Sequence, residues 1–458
     1  MSGPAPALRT GNTRNKKNRP AAPESRPGLP ARQCAARLLG AVIERKTSLD
    51  GLTDNSHGHP QYLALDDRDR ALVRAILGSA LRNRGTIEAA LASFMDRPLP
   101  ENAVALKQLL HVAAAQILYL DLPDHSAVDL AVTAANSDPR NRRYASLVNA
   151  VLRRLSREKD AIQPAESNAP AWFSDMLAAA YGKQKAEAIL HIQALEPAID
   201  LTVKGDPAEW AGKLDGYLLP NGSVRLSKID SVLTELPGFA EGDWWVQDAA
   251  ASLPARLLGD IKGKRVADLC AAPGGKTAQL AHAGARVTAL DISANRLKRL
   301  IGNLERLGLS AETAVSDLKD YAPDELFDAV LLDAPCSSTG TVRRHPDVPW
   351  TKSQEDVAKL AELQRELLGH AIRLTRPGGI VVFSNCSLDP LEGEEVARAT
   401  LAENGSVTSL PFAPDELPGI AELVTPEGFL RTTPIDFPNE NPSLAGMDGF
   451  FAARFKRK

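Results

Sequence analysis

No apolar run in the 458 residues approaches the roughly 18 residues that a membrane span needs. The N-terminus also lacks the basic-then-apolar layout of a secretory leader, so a soluble, cytoplasmic protein is expected. Cysteine is scarce. Cys34, Cys270, Cys336 and Cys386 stand far apart, none in a C-x-x-C pair, and no histidine completes a zinc-ligand spacing. That excludes a disulfide framework and leaves no metal site to expect. The fingerprint G-x-G-x-x-G is missing, and a Walker A loop would need glycine where Cys270 stands. A net charge of −3 speaks against indiscriminate nucleic-acid binding. The chain length implies two or three domains, with a monomer and no obligate protein partner as the expectation.

The charge is unevenly placed. Residues 1–30 carry Arg9, Arg14, Lys16, Lys17, Arg19 and Arg26 against Glu24, with Arg32 just beyond, in a Pro- and Ala-rich stretch without period. This is either a disordered basic arm able to touch phosphate or a solubilising tail. Residues 31–160 show helical stripes, such as Cys34, Leu38 and Val42, or Leu72, Ile76 and Ala80. An all-α domain is predicted, with Cys34 in its core and Ser126 as a helix N-cap. Its last helix, near Ser146–Lys159, carries Arg153, Arg154 and Arg157, with Arg140, Arg142 and Arg143 just before it. These bases fit an RNA-facing patch or a merely solvated helix face. Residues 161–245 read as a small α+β linker domain, with a helix around Trp172–Ile192 and short stretches between Gly216 and Leu226.

From 246 to 458 the pattern alternates. Strand-like runs at Arg265–Ala271, Arg286–Asp291, Ala311–Val315, Phe327–Ala334 and Gly379–Phe383 are separated by helical segments such as Ala294–Leu307 and Gln354–Leu374. That is a Rossmann-like α/β domain with a mostly parallel sheet, whose ligands sit at the C-terminal strand ends. The first strand runs into Cys270-Ala271-Ala272-Pro273-Gly274-Gly275-Lys276, a glycine-rich turn into a helix that lets backbone amides approach a ligand. Asp291 ends the second strand, where it could accept both ribose hydroxyls; Asp317 follows the third, near an adenine amino group; Asp333 ends the fourth. Three acids at successive strand ends suit a cofactor with an adenosine moiety and a sulfonium, namely S-adenosylmethionine.

The fourth strand enters Asp333-Ala334-Pro335-Cys336-Ser337, and the fifth enters Ser384-Asn385-Cys386-Ser387. Two thiols at adjacent strand ends should face one pocket. A thiolate adding to C6 of cytosine turns the ring into an enamine, and C5 then becomes nucleophilic enough to take a methyl group. Asp333 is placed to engage the N3/N4 edge of the base.

Here the sequence resembles the Sun/Fmu family of ribosomal RNA cytosine-C5 methyltransferases. The likeness includes Val246-Gln247-Asp248, Arg343-Arg344-His345-Pro346-Asp347 and Asp448-Gly449-Phe450-Phe451. Leu65-Asp66-Asp67-Arg68-Asp69-Arg70 and Val148-Asn149-Ala150-Val151-Leu152-Arg153-Arg154 are similar to the NusB-like domain of one bacterial branch. The resemblance implies a seven-stranded methyltransferase sheet and a small-subunit (16S) ribosomal RNA substrate with an unpaired or flipped cytosine. It implies Cys386 as the attacking thiol, Cys336 as the group that assists release, and cofactor contacts at Cys270, Ala271, Ala272, Pro273, Gly274, Gly275, Lys276, Asp291, Asp317 and Asp333. Arg343 and Arg344, on the rim loop, would meet phosphate together with Arg153 and Arg154. Two departures stand out: Asn385 where the family usually has Thr, and no Arg-Val-Asn pattern at Ile199–Gly205. Two other readings stay open. A DNA cytosine-C5 methyltransferase would use Cys336 as nucleophile, and an RNA-binding assembly factor would carry the fold without the chemistry.

Overall fold

The computed structural model describes residues 3, 26–226, 232–413, 416–417 and 419–458. The basic arm up to residue 25, Gly3 apart, lies outside the described residues. Just after it, Arg26 pairs with Asp129 at 2.6 Å, and the first helix, Leu29–Arg45, begins before the expected boundary.

The first domain is helical, as its periodicity predicts. Helices Leu29–Arg45, Asp67–Arg82, Asp124–Ser137 and Ala145–Glu158 surround Val104–Tyr119, which is buried on nearly every face. Cys34 is 2% exposed in this core, and burial pushes its thiol up to about 11, so it is an inert packing residue. The N-cap differs from expectation. Pro123, not Ser126, precedes helix Asp124–Ser137, and the Ser126 amide donates to the Pro123 carbonyl at 2.9 Å from within the first turn. Proline presets the φ that the chain needs there, so no side-chain cap is required.

The linker region follows. The single helix expected around Trp172–Ile192 is two, Ala171–Tyr181 and Lys183–Gln193, broken at Gly182, whose φ of 77° no helix can continue through. Strands β1 (Ile199–Val203), β2 (Gly216–Leu218), β3 (Val224–Leu226) and β4 (Trp244–Val246) form an antiparallel sheet in the order β2-β3-β1-β4.

The second sheet is built from β5 (Arg265–Leu269), β6 (Arg286–Asp291), β7 (Glu312–Val315), β8 (Phe327–Asp333), β9 (Thr375–Asn385), β10 (Val407–Ser409), β11 (Leu430–Thr432) and β12 (Phe450–Arg457). Its order is β10-β12-β9-β8-β5-β6-β7, the seven-strand path expected, with short β11 added as an eighth strand on β12. Strands β5 to β9 pair in parallel, whereas β12 runs antiparallel between β9 and β10. No helix among the described residues is long and apolar enough to cross a membrane.

Two contacts bind the parts together. The buried Arg225 on β3 grips Asp200 on β1 through two bonds of 2.6 and 2.7 Å, and donates to the carbonyls of Leu444 and Gly446 in the α/β domain. Separately, the segment after Cys336 is held by the helical domain. The Leu49 amide donates to Asp347 at 2.8 Å, His345 pairs with Asp50 at 3.1 Å, and Trp350 packs against the helical core.

Replacing Arg225 with Ala strands the Asp200 carboxylate in the interior. A loss of about 3–5 kcal/mol in unfolding free energy is expected from denaturant titration; a loss near zero would mean that this pair does not hold the linker sheet in place.

Candidate active site

The glycine-rich turn that ends β5 is shaped by two residues of positive φ, Cys270 at 61° and Gly274 at 103°. A side chain at Gly274 would bring its Cβ to 2.7 Å from Leu300, so only glycine lets the helix Gly275–His282 start this close to the sheet. Asp291, at the end of β6, braces the turn: its carboxylate accepts from the Ala272 amide at 3.2 Å and the Ser293 amide at 2.9 Å, and Arg296 lies across it at 3.3 Å. Asp317 sits half-buried after β7, with one oxygen accepting from the Lys319 amide. Cys270 is held by burial with its thiol pushed up to about 12, which leaves it protonated.

Beneath the turn lies a group that the sequence did not flag. Asp268 on β5 is fully buried, takes a 2.6 Å bond from Thr277, and has its other oxygen without a partner. Burial pushes its carboxyl up to about 7. An orphaned buried acceptor beside a glycine cradle and a helix N-terminus is what a cationic, nucleoside-bearing ligand would satisfy, so the residues present fit S-adenosylmethionine.

One strand over, Asp333 ends β8 directly opposite Ser384 on β9. Lys276 donates to one Asp333 oxygen at 2.7 Å and Ser384 to the other at 3.1 Å. Burial opposes the charge on Lys276, but the Asp333 carboxylate outweighs it, and the ammonium is held above its ordinary pKa. Beyond these strand ends the two thiols meet, with Cys336 Sγ and Cys386 Sγ 3.2 Å apart and both cysteines free. The pair is electrically unequal. The hydrogen bond from Cys336 lowers the Cys386 pKa, with help from Ser338 and Lys276, while the same bond and burial raise Cys336. Within the pair, ionisation is favoured at Cys386 and opposed at Cys336.

Ser338, in the left-handed region at φ 61°, reaches Cys386 at 3.5 Å, a contact no motif announced. Asn385 does not line the pocket; its amide donates to the Glu392 carbonyl at 2.7 Å and accepts from the Ser387 amide at 3.0 Å. The departure from Thr is absorbed inside the fold.

The arginine expectations fare differently. Arg343 is not on the rim. It is 2% exposed, bonded to the Ala445 carbonyl at 2.8 Å and close to Asp448, because the helical domain covers this loop; it offers no face to phosphate. Arg344 is mostly enclosed, paired with Asp248 at 2.6 Å and Asp448 at 3.3 Å. Arg153 and Arg154 are exposed on helix Ala145–Glu158 and bonded to Asn149 and Glu158 of their own helix.

Residues 255–456 match a family model described as 16S rRNA methyltransferase RsmB/F, and residues 29–157 match the NusB family. The chain is similar to ribosomal RNA small subunit methyltransferase B of Xanthomonas campestris, 38% identical over 84% of this chain and 90% of that one. The corresponding Xylella fastidiosa protein is 37% identical over 93% and 98%. A solved methyltransferase homologue from Pyrococcus horikoshii covers 62% of this chain and 94% of its own, with a TM-score of 0.52 and 26% identity.

The unequal pair predicts selective labelling. Iodoacetamide should modify Cys386 with a midpoint below the ordinary thiol value, and Cys336 only at more alkaline pH. In Cys336→Ala the Cys386 midpoint should move upward, since the bond that lowers it is gone. Peptide mass spectrometry against pH reads both; equal labelling of the two thiols would refute the assignment.

Proposed function

Since the chain belongs to the 16S rRNA methyltransferase RsmB/F family, we propose that it forms 5-methylcytosine in small-subunit ribosomal RNA through a covalent bond between Cys386 and C6 of the base. It is an S-adenosylmethionine-dependent methyltransferase, and a ribosomal RNA substrate favours work in the cytoplasm. The observation that carries the proposal is the thiol pair: two free sulfurs 3.2 Å apart at the ends of adjacent parallel strands, with the ionisation favoured at Cys386.

The chain's own groups supply the following steps. The Cys386 thiolate adds to C6 of a cytosine that is unpaired or flipped into the pocket, pushing electron density toward C5. Asp333, anchored by Lys276 and Ser384, accepts from the N4 amino group and so orients the base with C6 toward Cys386. The donor supplies an electrophilic methyl on a sulfonium. The turn Cys270–Lys276 would hold its methionine end; Asp291, which Arg296 now faces at 3.3 Å, would accept from its ribose hydroxyls; and Asp317 would accept from its adenine amino group. Loss of the C5 proton to water then allows elimination, which breaks the bond between Cys386 and C6 and regenerates the thiolate, with Cys336 beside it to assist release. A Cys336 nucleophile, as in the DNA-type mechanism, is disfavoured by its raised pKa. Arg153 and Arg154 remain the exposed arginines proposed to meet RNA, with Arg344 fixing the loop rather than phosphate.

Methyl transfer from labelled S-adenosylmethionine to unmethylated small-subunit ribosomal RNA should give labelled 5-methylcytidine with wild type. Cys386→Ala should lose at least about a thousandfold in kcat. Activity surviving in that variant would move the nucleophile to Cys336. Cys336→Ala should instead accumulate a protein–RNA adduct visible on a denaturing gel; its absence would remove the release role from Cys336.

A further inference from the structure

The thiols sit on separate loops, so something must fix their separation. Residues on both sides of each thiol converge on Glu392, a carboxylate with no exposed surface. One of its oxygens accepts from the Ser337 amide and from Gln364 Nε2, each at 2.9 Å; the other accepts from Ser337 Oγ at 2.5 Å. Gln364 also donates to the Pro335 carbonyl at 2.9 Å, so the residues before and after Cys336 are both tied in. On the other loop, Asn385 donates to the Glu392 backbone carbonyl at 2.7 Å, and Ser387 Oγ lies 3.2 Å from Ser337 Oγ. A carboxylate is costly to bury and is retained only where its hydrogen bonds are made. Here all of them lead to the flanks of the two cysteines.

We propose that Glu392 is a positioning residue that holds Cys336 and Cys386 at the separation at which a proton passes between them. Its reach spans the two loops: the carboxylate grips the Cys336 loop while its own backbone carbonyl holds the Cys386 loop. This rests on the thiol-pair reading of the site, but it can be tested apart from it. Shortening the side chain by one methylene should pull the carboxylate away from Ser337 and let the Cys336 loop drift, whereas an isosteric amide keeps the span.

The test uses the full chain carrying Glu392→Asp and Glu392→Gln, which are less disruptive than truncation to Ala. Three readouts are taken: kcat and KM on ribosomal RNA, calorimetric affinity for S-adenosylmethionine, and the rate at which diamide oxidises Cys336 and Cys386 to a disulfide, followed by non-reducing peptide mapping. Glu392→Asp should lower kcat by about a hundredfold, leave KM and cofactor affinity unchanged, and slow the cross-link by about tenfold. Glu392→Gln should recover most of the kcat and of the cross-linking rate. Wild-type cross-linking in Glu392→Asp overturns the proposal, and so does a Glu392→Gln as impaired as Glu392→Asp, since charge and not reach would then matter. If wild type makes no 5-methylcytidine, the functional reading fails while the cross-linking rates still decide this one.

Discussion

The site depends on the register in which β8 and β9 pair. They run parallel with Asp333 opposite Ser384, so the two chains leave the sheet side by side and their cysteines emerge at one point. A parallel pair needs a crossover, and helix Gln354–Leu374 provides it across one face of the sheet. Main-chain bonds extend the pairing past the strands: the Ala334 amide donates to the Ser384 carbonyl at 2.8 Å, and the Gly340 amide to the Cys386 carbonyl at 2.9 Å. The antiparallel β12 closes the other side. Gly340 lies so near Gly449 that an added Cβ would sit 2.0 Å from its carbonyl oxygen. A one-residue slip in this pairing would turn each side chain to the opposite face and separate the sulfurs.

On that frame the interior carries more charge than a stable core would choose. Lys276 with Asp333, Arg225 with Asp200, and Arg344 between Asp248 and Asp448 are largely enclosed pairs. Such pairs add little net stability over apolar packing, but they resist losing one partner, and so they fix geometry. Arg225 with Asp200 ties neighbouring strands of the linker sheet, Arg344 joins segments 96 and 104 residues away, and Lys276 with Asp333 sets the acid beside the thiols. The thiols follow the same logic on a smaller scale: one hydrogen bond lowers the pKa of Cys386 and raises that of Cys336.

Much of this was legible in the order of residues. Helix Gln354–Leu374 and strand β6 (Arg286–Asp291) have the bounds that periodicity alone predicts, because each has a long apolar face or a continuous apolar run ended by a polar residue. The strands β10 and β11 escaped notice, since three residues carry too little pattern, and the break at Gly182 was hidden by apolar spacing that continues across it. Arg343 was misplaced for a different reason. Its neighbours read as a rim loop, and only the helical domain packed over that loop turns it inward. Glu392 and Ser338 have no signature because their partners lie in distant segments.

The sequence by itself determined the chemistry available. Thiols, acids and a glycine turn at successive strand ends follow from an alternating β/α pattern, since the polypeptide geometry places every such end on one edge of a parallel sheet. What tertiary structure decided was which of those groups act on one another. The 3.2 Å between the sulfurs, the opposite pKa shifts of the two thiols, and the enclosure of Arg343 arise from contacts between segments far apart in the chain. Local pattern records the period of a strand or helix but not the identity of the neighbour across it, and hydrogen bonding and burial are set by that neighbour.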